Sequence, residues 1–357
     1  MKFESFGEGW RFSAVTNGKA AWSLCDTRQG RELMEIGFAR LNQTPERDAV
    51  NEKCRFHGKL DNTETAIESL NVYPFGGESA ILRNMTLRGK LLEVRMDIKP
   101  GKGEVIRDLE LEELFFPGEF TRIEMIKSVP APGGSWQLEA LDIKETVLYE
   151  SCDPFAVLLL TTADNMQIEL GSGGDWWRMH GAGDTFWGVK LSPDGVTVRR
   201  RVVAISADEV IERRPWRFNY YVAWGRKSAA NLSADPGDVI LTPDPAKAVN
   251  CECFQAPAVR KYLRKTVRQQ QENSGNVHLN LPDVQSCDDA GHLERPGKKA
   301  LRHWGLDELF ALYSWGNRTL GEGRYLTVQL PENSIFRQLP SGRYLAQAPG
   351  EAAIREI

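Results

Sequence analysis

The sequence predicts a mainly β protein: a large antiparallel β-sandwich with a small mixed α/β extension at its C-terminal end. Three observations predict this fold class. Apolar and polar residues alternate with a period of two in the first two thirds of the chain. Glycine- and proline-rich turns separate the alternating runs, and apolar residues at helical spacing occur only after residue 257. Many short strands joined by such turns are typical of a sandwich.

The strands can be justified in order from this alternation. In residues 92–99 apolar side chains at even positions alternate with charged ones at odd positions, which predicts a strand with one wet face. The same alternation occurs in the runs 20–24, 109–112, 166–170 and 218–224. Residues 155–160 are apolar at every position, which is typical of a central strand covered on both faces.

The pattern changes after Gly225. We predict a sandwich domain over residues 1–232, a proline-rich crossing segment over 233–257 and a mixed extension over 258–357. In the extension, apolar stripes predict one helix around 259–267 and another over 306–313, which Gly316 and Asn317 should stop. Residues 271–300 are polar and predict a loop, and 325–330 and 342–346 predict two further strands.

Composition limits the classes of function. The 357 residues carry a net charge of -4, which gives no general attraction to nucleic acid or to an anionic membrane. The N-terminal residues lack the apolar run of a signal peptide, so a cytoplasmic location is expected if the chain is the whole gene product. No apolar run is long enough to span a bilayer. The six scattered cysteines predict free thiols, and neither a metal nor a cofactor is predicted.

Residues 169–188 form the most unusual segment of the chain. They hold three of the ten tryptophans, six glycines and one of the five histidines. Glycines permit sharp turns and close approach of a ligand, and indole rings suit the flat apolar face of a sugar. The predicted ligand contacts are Trp176, Trp177, Arg178, Asp184 and Trp187. The alternative is that the tryptophans fill the sandwich core.

The same segment holds the candidates for acid–base chemistry. His180 lies between glycines and aromatic residues, and its side chain titrates near neutral pH, so it is the candidate proton-transferring group. Asp175 or Glu169 would be its partner. The alternative is that the histidine only forms hydrogen bonds within a turn and that the carboxylates are solvated turn residues.

Two clusters of basic residues lie outside this segment. The three arginines of Arg199–Arg201 should divide between the two faces of a strand, with solvated strand ends or ion pairs to acidic residues as the simplest interpretation. An acidic sugar is the functional alternative, since arginine binds carboxylate in bidentate fashion. The basic residues of the first predicted helix, Arg260–Arg268, are interpreted as a solvated helix face.

The opening residues, Thr16–Leu33, with Asp26 and Gly30 at a turn, resemble the first hairpin of the galactose-mutarotase-like β-supersandwich domains. The rhythm of strands and turns through Trp224 is similar to that of such domains, so the resemblance covers roughly residues 1–225. It implies a role with carbohydrates, since these domains occur in aldose epimerases, polysaccharide lyases and glycoside hydrolases. The epimerases use a histidine as acid and a glutamate as base, and here only His180 lies in a plausible place.

These observations predict a carbohydrate-active or carbohydrate-binding protein, such as an epimerase, lyase or glycosidase that works by acid–base chemistry. Two alternatives stay open. One is a non-catalytic sugar-binding or structural β protein. The other is an assembly component, a homo-oligomer in which the exposed aromatic residues form the subunit interface.

Overall fold

The protein is described by a computed structural model. The residues described are 4–7, 9–14, 20–37, 40–41, 55–60, 65–72, 80–99, 105–128, 136–151, 155–172, 185–206, 216–226, 235–251, 253, 256–281, 304–331, 334–348 and 351–355. The chain divides into two compact units. The first unit comprises Met1–Met125 and Glu139–Arg226, and the second comprises Ile126–Leu138 and Lys227–Ile357.

The first unit is built from strands. In chain order, the strands as far as residue 226 are β1 Glu4–Gly7, β2 Trp10–Ala14, β3 Ala20–Asp26, β4 Arg31–Gly37, β5 Arg40–Leu41, β6 Arg55–Leu60, β7 Thr65–Val72, β8 Ala80–Arg88, β9 Leu91–Lys99, β10 Val105–Pro117, β11 Phe120–Ser128, β12 Trp136–Ala140, β13 Val147–Ser151, β14 Phe155–Thr162, β15 Met166–Ser172, β16 Thr185–Ser192, β17 Gly195–Ser206 and β18 Trp216–Arg226.

The strands of the first unit lie in two sheets, whereas most of β12 belongs to the second unit. The first sheet has the order β1-β2-β3-β4-β10-β17-β16-β13, with β5 paired to β10. The second sheet of this unit runs β11-β14-β15-β18-β9-β8-β7-β6. Antiparallel pairing joins neighbours such as β10 with β17 and β15 with β18. The prediction of a large antiparallel β-sandwich is confirmed.

One hydrophobic core fills the sandwich, and both sheets contribute to it. Trp22 and Phe116 come from the first sheet, and Ile168 and Trp224 come from the second. The even positions of β9, from Leu92 to Ile98, are all buried, as the alternation predicts. Every residue of β14 is buried, which confirms the prediction of a strand covered on both faces.

The second unit combines helices with short strands. Its further elements are β19 Val239–Leu241, α1 Pro245–Val249, α2 Pro257–Arg268, β20 Val277–Asn280, α3 Trp304–Leu320, β21 Leu326–Gln329, β22 Ile335–Gln338, β23 Tyr344–Ala348 and β24 Glu351–Arg355. Strands β19, β20 and β21 form a parallel sheet in that order. The last three strands, β22, β23 and β24, form an antiparallel meander. Strand β12 joins this meander, because Trp136 of β12 is paired with Ala352 of β24.

A separate hydrophobic core holds the second unit together. The apolar stripe of α2, Val259, Leu263 and Val267, is completely buried or nearly so. It belongs to the same core cluster as Leu279 of β20 and Leu309 of α3. The helical stripes that the sequence predicts are therefore the faces on which this unit is packed.

Three features of this region differ from the sequence-based expectation. Residues 271–300, expected as a loop, contain β20, whose four residues are too few for a visible period. The segment predicted as a crossing segment contains β19 and α1. Helix α3 continues through Gly316 to Leu320. No helix in the described part of the chain is both long and apolar enough to cross a membrane.

Candidate functional site

The segment 169–188 is described only at its two ends. Residues 173–184 lie outside the described residues, and with them six of the predicted site residues: Asp175, Trp176, Trp177, Arg178, His180 and Asp184. Their roles stay predictions. The described ends are Glu169–Ser172 in β15 and Thr185–Gly188 in β16.

Glu169 is the one predicted catalytic residue that the structure describes. Its neighbours Ile168 and Leu170 belong to the sandwich core, so Glu169 points to the opposite face of the second sheet. Its carboxylate is 0% exposed and accepts a hydrogen bond of 2.6 Å from the hydroxyl of Tyr221 on β18. A glutamate is almost never buried to this extent unless it has such a partner.

Gly171 permits this contact. It is the cross-strand neighbour of Tyr221, and a Cβ atom added at Gly171 would lie 2.2 Å from the phenol oxygen. The Tyr221 ring therefore lies directly on the backbone of β15, with its hydroxyl at Glu169. Any larger residue at position 171 would occupy the space of the ring.

A second buried carboxylate belongs to the same face. Glu124 on β11 is flanked by the core residues Ile123 and Met125, so it points away from the core, as Glu169 does. It is 0% exposed, and its oxygen lies 2.8 Å from the guanidinium of Arg122. Strands β11 and β15 are separated by β14 alone, so the two carboxylates come from strands roughly 10 Å apart.

Buried polar groups continue between these carboxylates. Gln167 of β15 is 0% exposed and donates a hydrogen bond of 3.1 Å to the hydroxyl of Thr161 on β14. We use the name outer polar face for Glu124, Thr161, Gln167, Glu169 and Tyr221. An outer sheet face normally carries solvated charges, whereas these five residues are at most 4% exposed. Burial of charge is costly, and buried carboxylates therefore mark candidate functional positions.

Trp187 lies in the interior of the sandwich. It is 4% exposed, its ring meets Phe155 edge to face at 5.3 Å, and the guanidinium of Arg200 lies 5.3 Å from its centre. The same guanidinium lies 4.7 Å from the Tyr220 ring. These residues border an internal cavity of about 10 Å³, which is room for roughly one water molecule. The role of Trp187 as a sugar contact stays a prediction.

Two of the arginines of β17, Arg199 and Arg200, lie on opposite faces of the strand, as predicted. Arg200 points into the sandwich, whereas Arg199 donates to Glu113 on β10 at 2.6 Å. Glu113 is the cross-strand neighbour of Arg199 in the first sheet. The ion pair that the sequence favoured for this cluster is thus confirmed at Arg199.

The second unit contains a hydrogen-bonded chain of an acid, an imidazole and a hydroxyl. Nε2 of His278 lies 2.8 Å from the carboxylate of Asp238, and Nδ1 lies 2.7 Å from the hydroxyl of Thr327. The hydrogen bond from His278, and after it the one from the amide of Asp235, lower the pKa of Asp238 from 3.8 to about 2. The amide of Asn276 adds a further hydrogen bond of 2.9 Å to the same carboxylate.

Asp238, His278 and Thr327 have the order of groups found in hydrolytic triads. Their place in the fold, however, indicates a structural role. Asp238 directly precedes β19, and His278 and Thr327 are the second residues of β20 and β21. All three therefore lie at the amino ends of parallel strands, whereas open α/β sheets bind ligands beyond the carboxyl ends. The chain of hydrogen bonds ties the three strands together at one end.

No family model and no curated protein matches this sequence. Solved structures are similar to it at low identity. An α-N-acetylgalactosaminidase from Bifidobacterium bifidum matches 91% of this chain with 10% identity and a TM-score of 0.42. The match covers 59% of that enzyme, so this chain spans less than two thirds of its length.

Two smaller proteins match over most of their own length. A galactose mutarotase-like protein from Lactobacillus casei matches 63% of this chain, with 8% identity and a TM-score of 0.42, and the match covers 100% of that protein. A protein described as a putative aldose 1-epimerase from Escherichia coli K12 is covered to 99%, with 6% identity and a TM-score of 0.41. The chain is thus similar to galactose mutarotase-like structures over part of its length, as the sequence resemblance predicted.

Four residues of the outer polar face were not predicted from the sequence: Glu124, Thr161, Gln167 and Tyr221. Glu124, Gln167 and Tyr221 occupy the charged or polar positions of alternating strands, where the pattern indicates only a wet face. A possible signal was Tyr221 itself, which extends the run of aromatic residues in β18 onto the face that should be polar. Its contact with Glu169 depends on the register between β15 and β18.

Proposed function

We propose that this chain is a carbohydrate-active protein, with its ligand at the segment 169–188 and Glu169 as a proton-transferring group. The supporting observation is the buried pair of Glu169 and Tyr221, 2.6 Å apart, at the strand from which this segment departs. A carboxylate beside a phenol can pass a proton when a substrate enters hydrogen-bond reach. The indoles of Trp176 and Trp177 would contact the sugar.

The two buried carboxylates have different contacts in the structure. Glu124 forms an ion pair with Arg122 at 2.8 Å, and Glu169 accepts a hydrogen bond of 2.6 Å from the hydroxyl of Tyr221. Acid–base enzymes that act on sugars use two carboxyl groups in unequal environments. In our proposal Glu169 exchanges the proton with the substrate, and Glu124 stays ion-paired with Arg122. His180 stays the proposed partner from the segment 173–184.

A non-catalytic sugar-binding protein is the second candidate. The observation that favours it is the complete burial of Glu169, because a carboxylate enclosed in this way can serve as a fixed part of the scaffold. Here the indoles would hold the sugar, and Glu169 with Tyr221 would only shape the floor beneath it. The two candidates differ in whether Glu169 matters for turnover or for stability alone.

A screen with neutral and acidic oligosaccharides, read by tryptophan fluorescence, tests the ligand class. We expect at least one sugar to shift the fluorescence and Trp177→Ala to weaken its binding by ~1 kcal/mol, the value of an aromatic contact beyond area burial. Absence of any binder at millimolar concentration would refute the carbohydrate role.

Proton NMR on the bound sugar then separates catalysis from binding, because it resolves anomer exchange, new double bonds and new reducing ends. Under the first candidate, Glu169→Gln lowers the rate by roughly two to four orders of magnitude and leaves binding in place. The matched control is Glu93→Gln, since Glu93 is an exposed glutamate of β9 whose neighbours Leu92 and Val94 are in the core. A Glu169→Gln protein with full turnover would leave only the binding role.

A further inference from the structure

Helix α2 carries a row of positive charge. Its sequence contains five basic residues and no acidic residue, in a chain whose net charge is -4. The apolar stripe of the helix is buried in the core of the second unit, so the basic residues occupy the remaining faces. The basic residues are Arg260, Lys261, Arg264, Lys265 and Arg268.

These residues line one wall of a surface groove, which we call the basic groove. The groove has a volume of about 660 Å³ and lies between α2 and α3, where Glu308 and Ala311 border it. A groove of this volume is within the range of small-ligand sites. Arg260, Arg264 and Arg268 follow at intervals of four residues, so they succeed one another at roughly 6 Å along the helix axis.

The guanidinium groups of this wall are held in place. The guanidinium of Arg264 lies 5.8 Å from the centre of the Trp315 ring, and that of Arg268 lies 5.7 Å from it. Both distances are within the range of a cation–π contact, which orients the guanidinium and leaves its N–H edge available. Arg260 is held at the other end of the row by Glu308 at 2.5 Å.

The positive charge of this wall is largely uncompensated. Among the described residues, Glu308 is the carboxylate that forms an ion pair with α2, and none pairs with Lys261, Arg264, Lys265 or Arg268. Four neighbouring like charges repel one another, and an anion that enters the groove relieves this repulsion. Arginine in particular offers two parallel N–H donors to a planar carboxylate or to a sulfate.

We propose that the basic groove of the second unit is a glycan site of its own, which binds the carboxylate or sulfate groups of an anionic glycan. This inference rests on the proposed carbohydrate function and adds the chemical class of the ligand at this groove. The stacked Arg264 and Arg268 are the primary contacts, and Lys261 and Lys265 add electrostatic attraction.

Other anionic partners fit these observations less well. A membrane surface would require apolar residues of α2 for insertion, but Val259, Leu263 and Val267 are at most 1% exposed. Single-stranded nucleic acid requires free aromatic faces for base stacking, whereas Trp315 already carries two guanidinium groups.

Isothermal titration of the full chain tests the proposal with three probes: a galacturonate hexasaccharide, a neutral galactose hexasaccharide and a six-nucleotide thymidine single strand. We expect the galacturonate probe to bind at least tenfold more tightly than either of the others. Its affinity should fall as salt concentration rises, because the contacts are charged and exposed.

Three variants locate the site. Arg264→Gln combined with Arg268→Gln should weaken binding of galacturonate roughly tenfold or more, the effect of two charge-assisted hydrogen bonds. The double substitution by lysine keeps the charge and loses the bidentate geometry, so it should weaken binding severalfold. The control Arg318→Gln removes an exposed arginine of α3 that does not line the groove, and should change nothing. Glutamine and lysine are good helix formers, and circular dichroism checks that α2 stays folded.

The proposal is overturned if the glutamine or the lysine pair binds like the wild type, or if Arg318→Gln weakens binding as much as the glutamine pair does. It is also overturned if the thymidine strand binds as tightly as galacturonate. These outcomes are distinct from failure of the proposed function. A wild-type protein that binds no glycan at all, neutral or acidic, refutes the carbohydrate role itself, whereas galacturonate binding that ignores the groove variants refutes only the groove.

Discussion

The position of the Tyr221 ring depends on a single glycine. A Cβ atom at Gly171 would lie 2.2 Å from the phenol of Tyr221, so Gly171→Ala must displace the ring and break its hydrogen bond to Glu169. We expect a loss of about 1–3 kcal/mol in the free energy of unfolding, measured by urea denaturation. Gly188→Ala is the matched control, because no atom lies within 4 Å of a Cβ added at Gly188. Equal stability of the two variants would contradict this account of the site.

The hydrogen bond between Tyr221 and Glu169 can be tested from its other end. Tyr221→Phe keeps the ring and removes the donor, so the buried carboxylate loses a partner and the free energy of unfolding should fall by about 1–3 kcal/mol. Tyr325→Phe, at a residue that is 39% exposed, should stay within about 0.5 kcal/mol of the wild type. The double variant with Tyr221→Phe and Glu169→Gln should lose less free energy of unfolding than the sum of the two single variants, because the two residues share one interaction.

At the scale of single residues, the sequence indicates Glu169 as a candidate but does not indicate Tyr221 as its hydrogen-bond partner. Glu169 stands next to an unusual run of glycines and tryptophans, which is a local signal. Tyr221 lies 52 residues later, and what joins the two is the antiparallel register that sets Tyr221 opposite Gly171. Alternation of polar and apolar residues predicts which face a side chain occupies, but a shift of register would change its neighbour.

At the scale of elements, strands and helix faces are predictable and helix ends are less so. Gly316 and Asn317 should stop α3, but both serve packing instead. A Cβ at Gly316 would lie 2.4 Å from Leu326, so this glycine lets β21 approach the helix. The side chain of Asn317 accepts from the amide of Leu326 at 2.9 Å and donates to the carbonyl of Tyr313 at 3.0 Å. These tertiary contacts outweigh the local stop signal, and α3 ends where Gly321 adopts a φ of 87°.

The chain of hydrogen bonds across β19, β20 and β21 makes the stability of the second unit depend on pH. The pKa of Asp238 is about 2, with the hydrogen bond from His278 as the first cause and that from the Asp235 amide as the second. A pKa lowered by folding means that the ionised carboxylate stabilises the fold above the pKa of the unfolded chain, near 3.9. This contribution is lost as pH falls from about 4 toward 2.

We therefore expect Asp238→Asn to lower the melting temperature at neutral pH and to flatten its dependence on pH between about 4 and 2. Calorimetry measures the difference in melting temperature between the variant and the wild type at each pH. Asp194→Asn, at an exposed aspartate of the turn between β16 and β17, is the control and should follow the wild type. A difference between Asp238→Asn and the wild type that is the same at pH 2 and at pH 6 would contradict the assignment.

At the scale of the whole molecule, the change of character after Gly225 reflects two separate cores. Among the described residues, the sandwich core and the core around α2 and α3 have no member in common. One feature of this organisation has no local sequence signal: residues Ile126–Leu138 belong to the second unit although the chain on both sides of them belongs to the first. Trp136 is paired with Ala352, more than two hundred residues away, and only the tertiary structure defines such a partner.

Separate cores predict separate unfolding transitions. Leu263 is 1% exposed in the core of the second unit, and Leu24 is 0% exposed in the sandwich core. Each substitution by alanine should cost about 2–5 kcal/mol, the usual effect of a cavity in a packed core. Multi-domain chains need not unfold in one step. Leu263→Ala should therefore lower the transition temperature of the second unit and leave that of the sandwich unchanged. Leu24→Ala should lower the transition temperature of the sandwich and leave that of the second unit unchanged. Calorimetry resolves the two transitions, and a single transition that both variants shift equally would show that the two cores unfold as one.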